Sequence, residues 1–224
     1  MKYIAHRDDL VPASLEDAKK KNVPWDDFSR SEDGRFLRQN KAKEQGGLCC
    51  YCECRLETEA EGMLLPGACQ VEHFLPRHKG ANPRPDLTYC WDNMVLSCMH
   101  ECHCGVFKDR SKVPPTDIIN PRKEDPREQI TFVLDSAGRH FRVFAEARAG
   151  TEGQRARDTI EALGLNHEDL VELRGGAWYL YVDAVADLLA CQEPLDNELV
   201  QVLLEEMEQG EFPSAMVALA KASL

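Results

Sequence analysis

The 224-residue sequence contains no stretch approaching the roughly 20 consecutive apolar residues of a membrane-spanning helix, so no membrane partner is expected. Its start, Met1-Lys2-Tyr3-Ile4-Ala5-His6-Arg7, lacks the apolar run of a secretory leader, which makes the cytoplasm the expected location. It has no internal repeat and no low-complexity segment, which excludes solenoids and arrays. Positive charge is also scarce: 27 Lys+Arg face 39 Asp+Glu, for a net charge of −12. An evenly acidic surface would repel a phosphate backbone. The deficit is not even, however. Residues 1–127 carry 20 basic and 21 acidic side chains, net −1, whereas residues 128–224 carry 7 and 18, net −11. A nucleic-acid surface is therefore expected in the first part, with the acidic remainder available to dock a partner.

Cysteine, by contrast, is abundant. Nine of the ten cysteines lie between Cys49 and Cys104, and only Cys191 stands apart. Without a secretory signal, such clustering points to metal ligation rather than disulfides. Cys49-Cys50-Tyr51-Cys52 holds a C-x₂-C turn, a spacing that brings two thiolates to one tetrahedral ion. A second cluster, Cys98-Met99-His100-Glu101-Cys102-His103-Cys104, follows 46 residues after Cys52. Two such pairs make a Cys₄ zinc site, which can contribute on the order of 10 kcal/mol to the folding of a small loop-rich unit. Cys49 and Cys52 form the first pair, with Cys50 and Cys54 as the weaker option. In the second, Cys98 is joined by Cys104 or Cys102. Cys104 is preferred because it places Lys108 one turn into a following helix. Cys69, Cys90 and Cys191 are read as buried thiols.

Four stretches can be separated. Residues 1–48 read as an extended start and helical segments packing on the core, one opening at Ser14-Leu15-Glu16-Asp17 and one running from Phe36-Leu37 to the stop at Gly46-Gly47. Residues 49–112 hold the cysteines and the chemistry. Residues 113–150 form a linker and a hairpin from Ile130-Thr131-Phe132-Val133-Leu134 and Phe141-Arg142-Val143-Phe144, with its turn at Ser136-Ala137-Gly138. Residues 151–224 read as helical. Ala177, Leu180, Tyr181, Ala184, Val185, Leu188 and Leu189 recur at spacings of three and four, predicting a core stripe. Leu199, Val202, Leu203 and Met207 suggest another helix, and Phe212 to Leu219 a last one.

Between the cysteine clusters stand Glu72-His73-Phe74-Leu75-Pro76 and Trp91-Asp92-Asn93, the Asn five residues before Cys98. A Glu-His pair ending a strand, a Pro three residues on, and an Asn at that offset form one constellation. With Gln45-Gly46-Gly47-Leu48-Cys49, Tyr51-Cys52-Glu53, Ser97-Cys98 and Cys104-Gly105-x-x-Lys108-Asp109, it resembles the HNH endonuclease family, in particular its PtuB-like members of Septu and retron-associated anti-phage systems. Trp25-Asp26, Asp117 to Pro126, and Ala162-Leu163-Gly164-Leu165-Asn166 are similar to that subfamily too.

The resemblance implies an α+β fold with a ββα-metal core, a Cys₄ zinc staple, a β-hairpin and a helical C-terminal region. It implies hydrolysis of phosphodiester bonds, DNA favoured over RNA, leaving 5′-phosphate and 3′-hydroxyl ends. A non-catalytic zinc-ribbon adaptor is the rival reading. His73 would be the general base. Asn93 would orient the loop and the His73 ring, and Glu72 would hold a catalytic Mg²⁺ or Mn²⁺. Where many HNH proteins carry His or Asn after the last knuckle cysteine, this chain has Gly105. A second ligand is then expected from Asp109, or from His103 if Cys102 is the zinc ligand. Lys108, Arg77 and Arg110, and also Lys79, Arg84 and Lys112, are candidate phosphate contacts. The implied partners are nucleic acid, an SMC/ABC-type ATPase of the PtuA kind, and a retron reverse transcriptase with its msDNA.

Overall fold

The structure, a computed structural model, describes residues 1–59, 62–78, 83–135, 141–148, 153–190 and 197–223, with the side chains of 187–190 and 197 excepted. Among these the fold is mixed α+β, with two small antiparallel sheets set among helices. No described helix is long and apolar enough to cross a membrane.

The N-terminal part holds α1 (Ser14–Lys20), α2 (Trp25–Arg30) and α3 (Glu32–Glu44). α3 starts one turn earlier than the helix-forming run suggests, because the Ser31 hydroxyl accepts the Gly34 N–H at 3.2 Å and caps it. α2 was not expected. It follows Pro24 and opens with Asp26 and Asp27, which suit the positive end of a helix. Leu15, Ala18, Phe28 and Leu37 from these helices pack with Trp91 and Met94 in a core of their own.

β1 (Cys69–His73) and β2 (Met94–Cys98) pair antiparallel, Glu72 opposite Val95 and His73 opposite Met94. A short helix, α4 (Cys104–Lys108), follows and packs on β2. The hairpin expectation corresponds to β3 (Ile130–Asp135) and β4 (Arg142–Ala147), paired with Ile130 opposite Ala147. The proposed turn at Ser136-Ala137-Gly138 lies outside the described residues. Then come α5 (Gly153–Ala162), α6 (Glu168–Ala190), α7 (Asn197–Gln209) and α8 (Pro213–Ser223). One larger core joins the knuckle residues, both sheets and these helices.

The core stripe expected on α6 is a correction. Leu170, Val171 and Trp178 are buried, as is Arg174, whose guanidinium donates to the Leu165 carbonyl at 2.7 Å. Ala177, Tyr181 and Val185 are only half-buried, Leu180 is 68% exposed and Ala184 is exposed; Leu188 and Leu189 lie outside the described side chains. Helical spacing marks an apolar face, but the hairpin meets α6 on the neighbouring face.

Polar anchors tie the pieces together. The Glu53 carboxylate, buried in the first knuckle, accepts the Ser214 N–H at 2.9 Å and hydroxyl at 2.7 Å, which fixes the first turn of α8. At the other end, Glu44 receives Lys41 Nζ at 2.8 Å, Arg122 Nη1 at 2.9 Å and the Trp91 indole N–H at 2.9 Å. Arg122 also pairs with Asp92. Lys41, Glu44 and Arg122 are all but inaccessible, and the two cations are balanced by the Glu44 and Asp92 carboxylates. Arg122→Met leaves this group with one cation fewer; we expect it to lower the unfolding free energy by about 3 kcal/mol in urea denaturation followed by circular dichroism.

Candidate active site and metal centre

The sulfurs of Cys49, Cys52, Cys98 and Cys104 all lie within 4.8 Å of one another, and all four residues are buried. The Cys49–Cys104 and Cys52–Cys98 separations are 3.8 and 3.9 Å. Four thiolates about 2.3 Å from a tetrahedral Zn²⁺ sit about 3.8 Å apart, so the group has the size and the donors for that ion. Local geometry builds each half. Cys49 N–H bonds the Cys54 carbonyl at 2.9 Å, closing the first turn, and the Cys98 N–H donates to Cys49 Sγ at 3.3 Å across the two segments. Gln45 clamps the turn to β2: its amide accepts Leu96 N–H at 2.7 Å and donates to the carbonyls of Leu96 and Leu48. The crowded thiols share protons unequally: the neighbouring Cys104 draws Cys98 down to about 3, while burial pushes Cys104 up.

The alternatives in the cysteine register are thereby decided geometrically. Cys102 is exposed, and Cys50 is buried outside the group. Cys54 stands 3.2 Å from Cys52 Sγ without joining the four. Cys69 and Cys90 are half-buried, which corrects the expectation of fully buried thiols, and Cys191 is outside the described residues. His103 is not at the reacting end of β1. Its Nδ1 lies 3.2 Å from Cys104 Sγ, and its ring stacks on His100 at 3.9 Å, which places it against the sulfur cluster.

Successive residues of a strand face opposite ways, and the end of β1 uses this. Glu72 faces α4, buried at 4% exposure, with Lys108 Nζ 2.6 Å from its Oε1 and the Tyr51 hydroxyl at 3.5 Å. Burial pushes the Glu72 carboxyl up, and the Lys108 ammonium opposes that. His73 faces the N-terminal core. Its Nε2 donates to the Thr88 carbonyl at 2.9 Å, and Trp25 meets its ring edge-on at 4.6 Å. A carbonyl only accepts, so Nε2 carries the proton and Nδ1 keeps its lone pair. Burial drops the His73 pKa to about 4, leaving the ring neutral at pH 7.

Asn93 holds the loop after β1. Its side-chain amide accepts Leu75 N–H at 2.9 Å and donates to the Leu75 carbonyl at 3.0 Å. The expectation that it also orients the His73 ring is corrected: Thr88 and Trp25 do that. A backbone carbonyl 15 residues away leaves no residue-type signal, although Trp25 had been noted as part of a motif.

Glu72, His73, Arg77, Lys108, Asp109 and Lys112 line one cleft of about 630 Å³. Arg77 also lies over Trp25, 5.4 Å from the ring centre. Lys108, a candidate phosphate contact, stands here as a buried counter-ion of Glu72, with 5% side-chain exposure. Arg110 is exposed but lines a different depression, beside Cys102 and His167. Arg84 is paired with Asp86 at 2.5 Å, and Lys79 lies outside the described residues.

No family model matches the chain. It is similar to Septu protein PtuB of Bacillus thuringiensis, 31% identical over 121 residues, which are 54% of this chain and 37% of that protein. It is also similar to a candidate HNH endonuclease of retron Vc95 from Vibrio cholerae serotype O1 biovar El Tor, 26% identical over 143 residues, covering 61% of this chain and 60% of the relative. A candidate HNH endonuclease of retron Ec83 from Escherichia coli is 29% identical over 91 residues, 39% of this chain and 33% of its own. Its relatives are PtuB-like HNH proteins. The matches span between a third and three-fifths of those proteins' lengths.

The departure from the HNH pattern at Gly105 has a steric cause. A Cβ there would stand 2.5 Å from Gln70 Nε2, 2.9 Å from Ser97 Oγ and 3.0 Å from Glu72 Oε2. A side chain there would displace the Gln70 amide and crowd the Glu72 carboxylate, and the Gly105 N–H donates to Ser97 Oγ at 2.9 Å. The segment Leu163–Asn166 braces the second knuckle: Cys104 N–H bonds the Leu163 carbonyl at 2.8 Å, and Asn166 pins Ala145 of β4 through both atoms of its amide. Metal analysis of purified protein should find one zinc per chain, kept in Cys102→Ser and lost, with most of the cooperative fold, in Cys104→Ser.

Proposed function

We propose that the chain is a metal-dependent endonuclease of the HNH type, hydrolysing phosphodiester bonds of nucleic acid, DNA above RNA. The observation that carries this reading is His73: a neutral imidazole with its lone pair free at Nδ1, its other nitrogen bound to a carbonyl, at the mouth of a cleft beside a buried carboxylate. The strand–strand–helix order of β1, β2 and α4 supports assignment to a ββα-metal unit. Zn²⁺ on Cys49, Cys52, Cys98 and Cys104 would have the structural role of joining the two halves.

His73 Nδ1 takes a proton from the attacking water as its oxygen bonds to phosphorus; the P–O3′ bond breaks and the departing 3′-oxide takes a proton from solvent water, leaving 5′-phosphate and 3′-hydroxyl ends. Asn93 is a positioning residue that fixes the loop carrying Leu75. Arg77 and Lys112 meet flanking phosphates, and Arg110 is too far round the surface to share that cleft. Glu72 and Asp109 are the oxygen donors for Mg²⁺ or Mn²⁺, hard ions that such ligands suit. The donor set fits: both carboxylates line the cleft, and among the described residues the hydrogen bond that Oε2 of Glu72 accepts is a long one, from Gln70 at 3.5 Å. When bound, the cation neutralises charge on the scissile phosphate and the leaving oxygen.

An anti-phage role is supported by the names of the relatives, one a Septu protein and two from retrons. On that reading the chain works with an SMC/ABC-type ATPase, or with a retron reverse transcriptase and its msDNA, docked on the acidic helices.

The test is cleavage of labelled DNA, and in parallel of total RNA, with each divalent cation, alone and with co-purified proteins. His73→Ala is expected to lower the rate at least about a hundredfold while zinc content is unchanged. Undiminished cleavage by that variant would leave the adaptor reading standing. Because His73 acts only when unprotonated, and burial holds it near 4 instead of its ordinary 6.5, the rate should stay level from pH 7 down to about 5 and fall below that. An acid limb centred near 6.5 would contradict the buried, carbonyl-bound imidazole.

A further inference from the structure

Gly105, at the start of α4, has no side chain with which to ligate a cation in the cleft. What stands against the Glu72 carboxylate is an ammonium. Lys108 Nζ lies 2.6 Å from Oε1, and each side chain is 5% exposed, so the pair is stripped of water. Tyr51 and Gln70 stand farther off, at 3.5 Å each. A divalent cation on the remaining oxygen would put two positive centres on one buried carboxylate, where their repulsion is little screened. Lys108 ends its short helix and lines the cleft, in which Arg77 and Lys112 also stand. Its long side chain can therefore leave Glu72 by rotating toward the opening, carrying with it the Nζ that now lies 5.8 Å from the Phe74 ring centre.

We propose that Lys108 is a built-in competitor of the catalytic cation: it neutralises Glu72 in the resting chain, is expelled when a divalent cation binds, and is then free to meet a substrate phosphate. This deepens the nuclease reading and rests on it. It also joins two roles that looked exclusive, counter-ion in one state and phosphate contact in the other. The device would keep the cleft poorly loaded until cation and nucleic acid arrive together, since each relieves the charge the other leaves uncompensated.

The experiment is Mn²⁺ binding to the zinc-loaded full chain, read from the electron paramagnetic resonance of free Mn²⁺. Lys108→Met should bind Mn²⁺ about tenfold more tightly than wild type, a change of the size that groups supporting a metal ligand commonly produce. Lys108→Arg, which keeps the charge, should bind no more tightly than wild type. Equal or weaker binding by Lys108→Met overturns the proposal. A second measurement needs no variant: reductive methylation of wild type, read by peptide mass spectrometry, should find Lys108 protected without Mn²⁺ and several-fold more reactive at saturating Mn²⁺. Reactivity unmoved by Mn²⁺ overturns it equally. Neither readout involves cutting, so a chain that shows both effects yet cleaves nothing would sink the nuclease reading alone.

Discussion

Four thiols from two segments 46 residues apart converge within 4.8 Å, and most of what surrounds them is arranged by that convergence. The first knuckle brings Tyr51 under Glu72 and Glu53 against the start of α8. The second sets the start of α4, hence Gly105 against β1 and Lys108 at the Glu72 carboxylate. The turn at Leu163 holds Cys104 from the far side. Sheets of two five- or six-residue strands and a one-turn helix cannot sustain themselves; a shared tetrahedral ligand set gives them a common point of attachment.

The cleft lies where two independent packings meet. On one side of β1, Trp25, Phe28 and Tyr89 form an aromatic group whose Trp25 presses on the His73 ring. On the other, the sulfur cluster and α4 enclose Glu72. The alternation of a strand separates the two neighbouring residues into these environments, which act on their protonation differently: burial keeps the imidazole neutral, whereas burial pushes the carboxyl up and the ammonium beside it opposes that.

The surface of α6 illustrates how far periodicity reaches. Spacing of three and four identified an apolar face on Ala177, Leu180, Tyr181, Ala184 and Val185, and such a face exists, but the residues that α6 buries are Leu170, Val171, Arg174 and Trp178, with Arg174 over the Phe132 ring of the hairpin. A repeat tells which residues share a side of a helix; it does not tell which side meets a neighbour. The hairpin itself was readable because two alternating runs separated by a glycine-bearing turn need no distant information.

Legibility in this chain follows the range of the interactions. The C-x₂-C turn, the Glu-His pair at a strand end, the Asn93 offset and the helices of both flanks are encoded within a few residues, and could be read from the chain alone. Placing His103 against the sulfurs, giving His73 a carbonyl partner at Thr88 and burying Lys108 against Glu72 all required tertiary structure, as did turning the preference for Cys104 over Cys102 into an observed grouping. Each depends on which atoms are brought together by segments 5 to 55 residues apart, and burial then determines which charge is tolerated and which atom retains its proton.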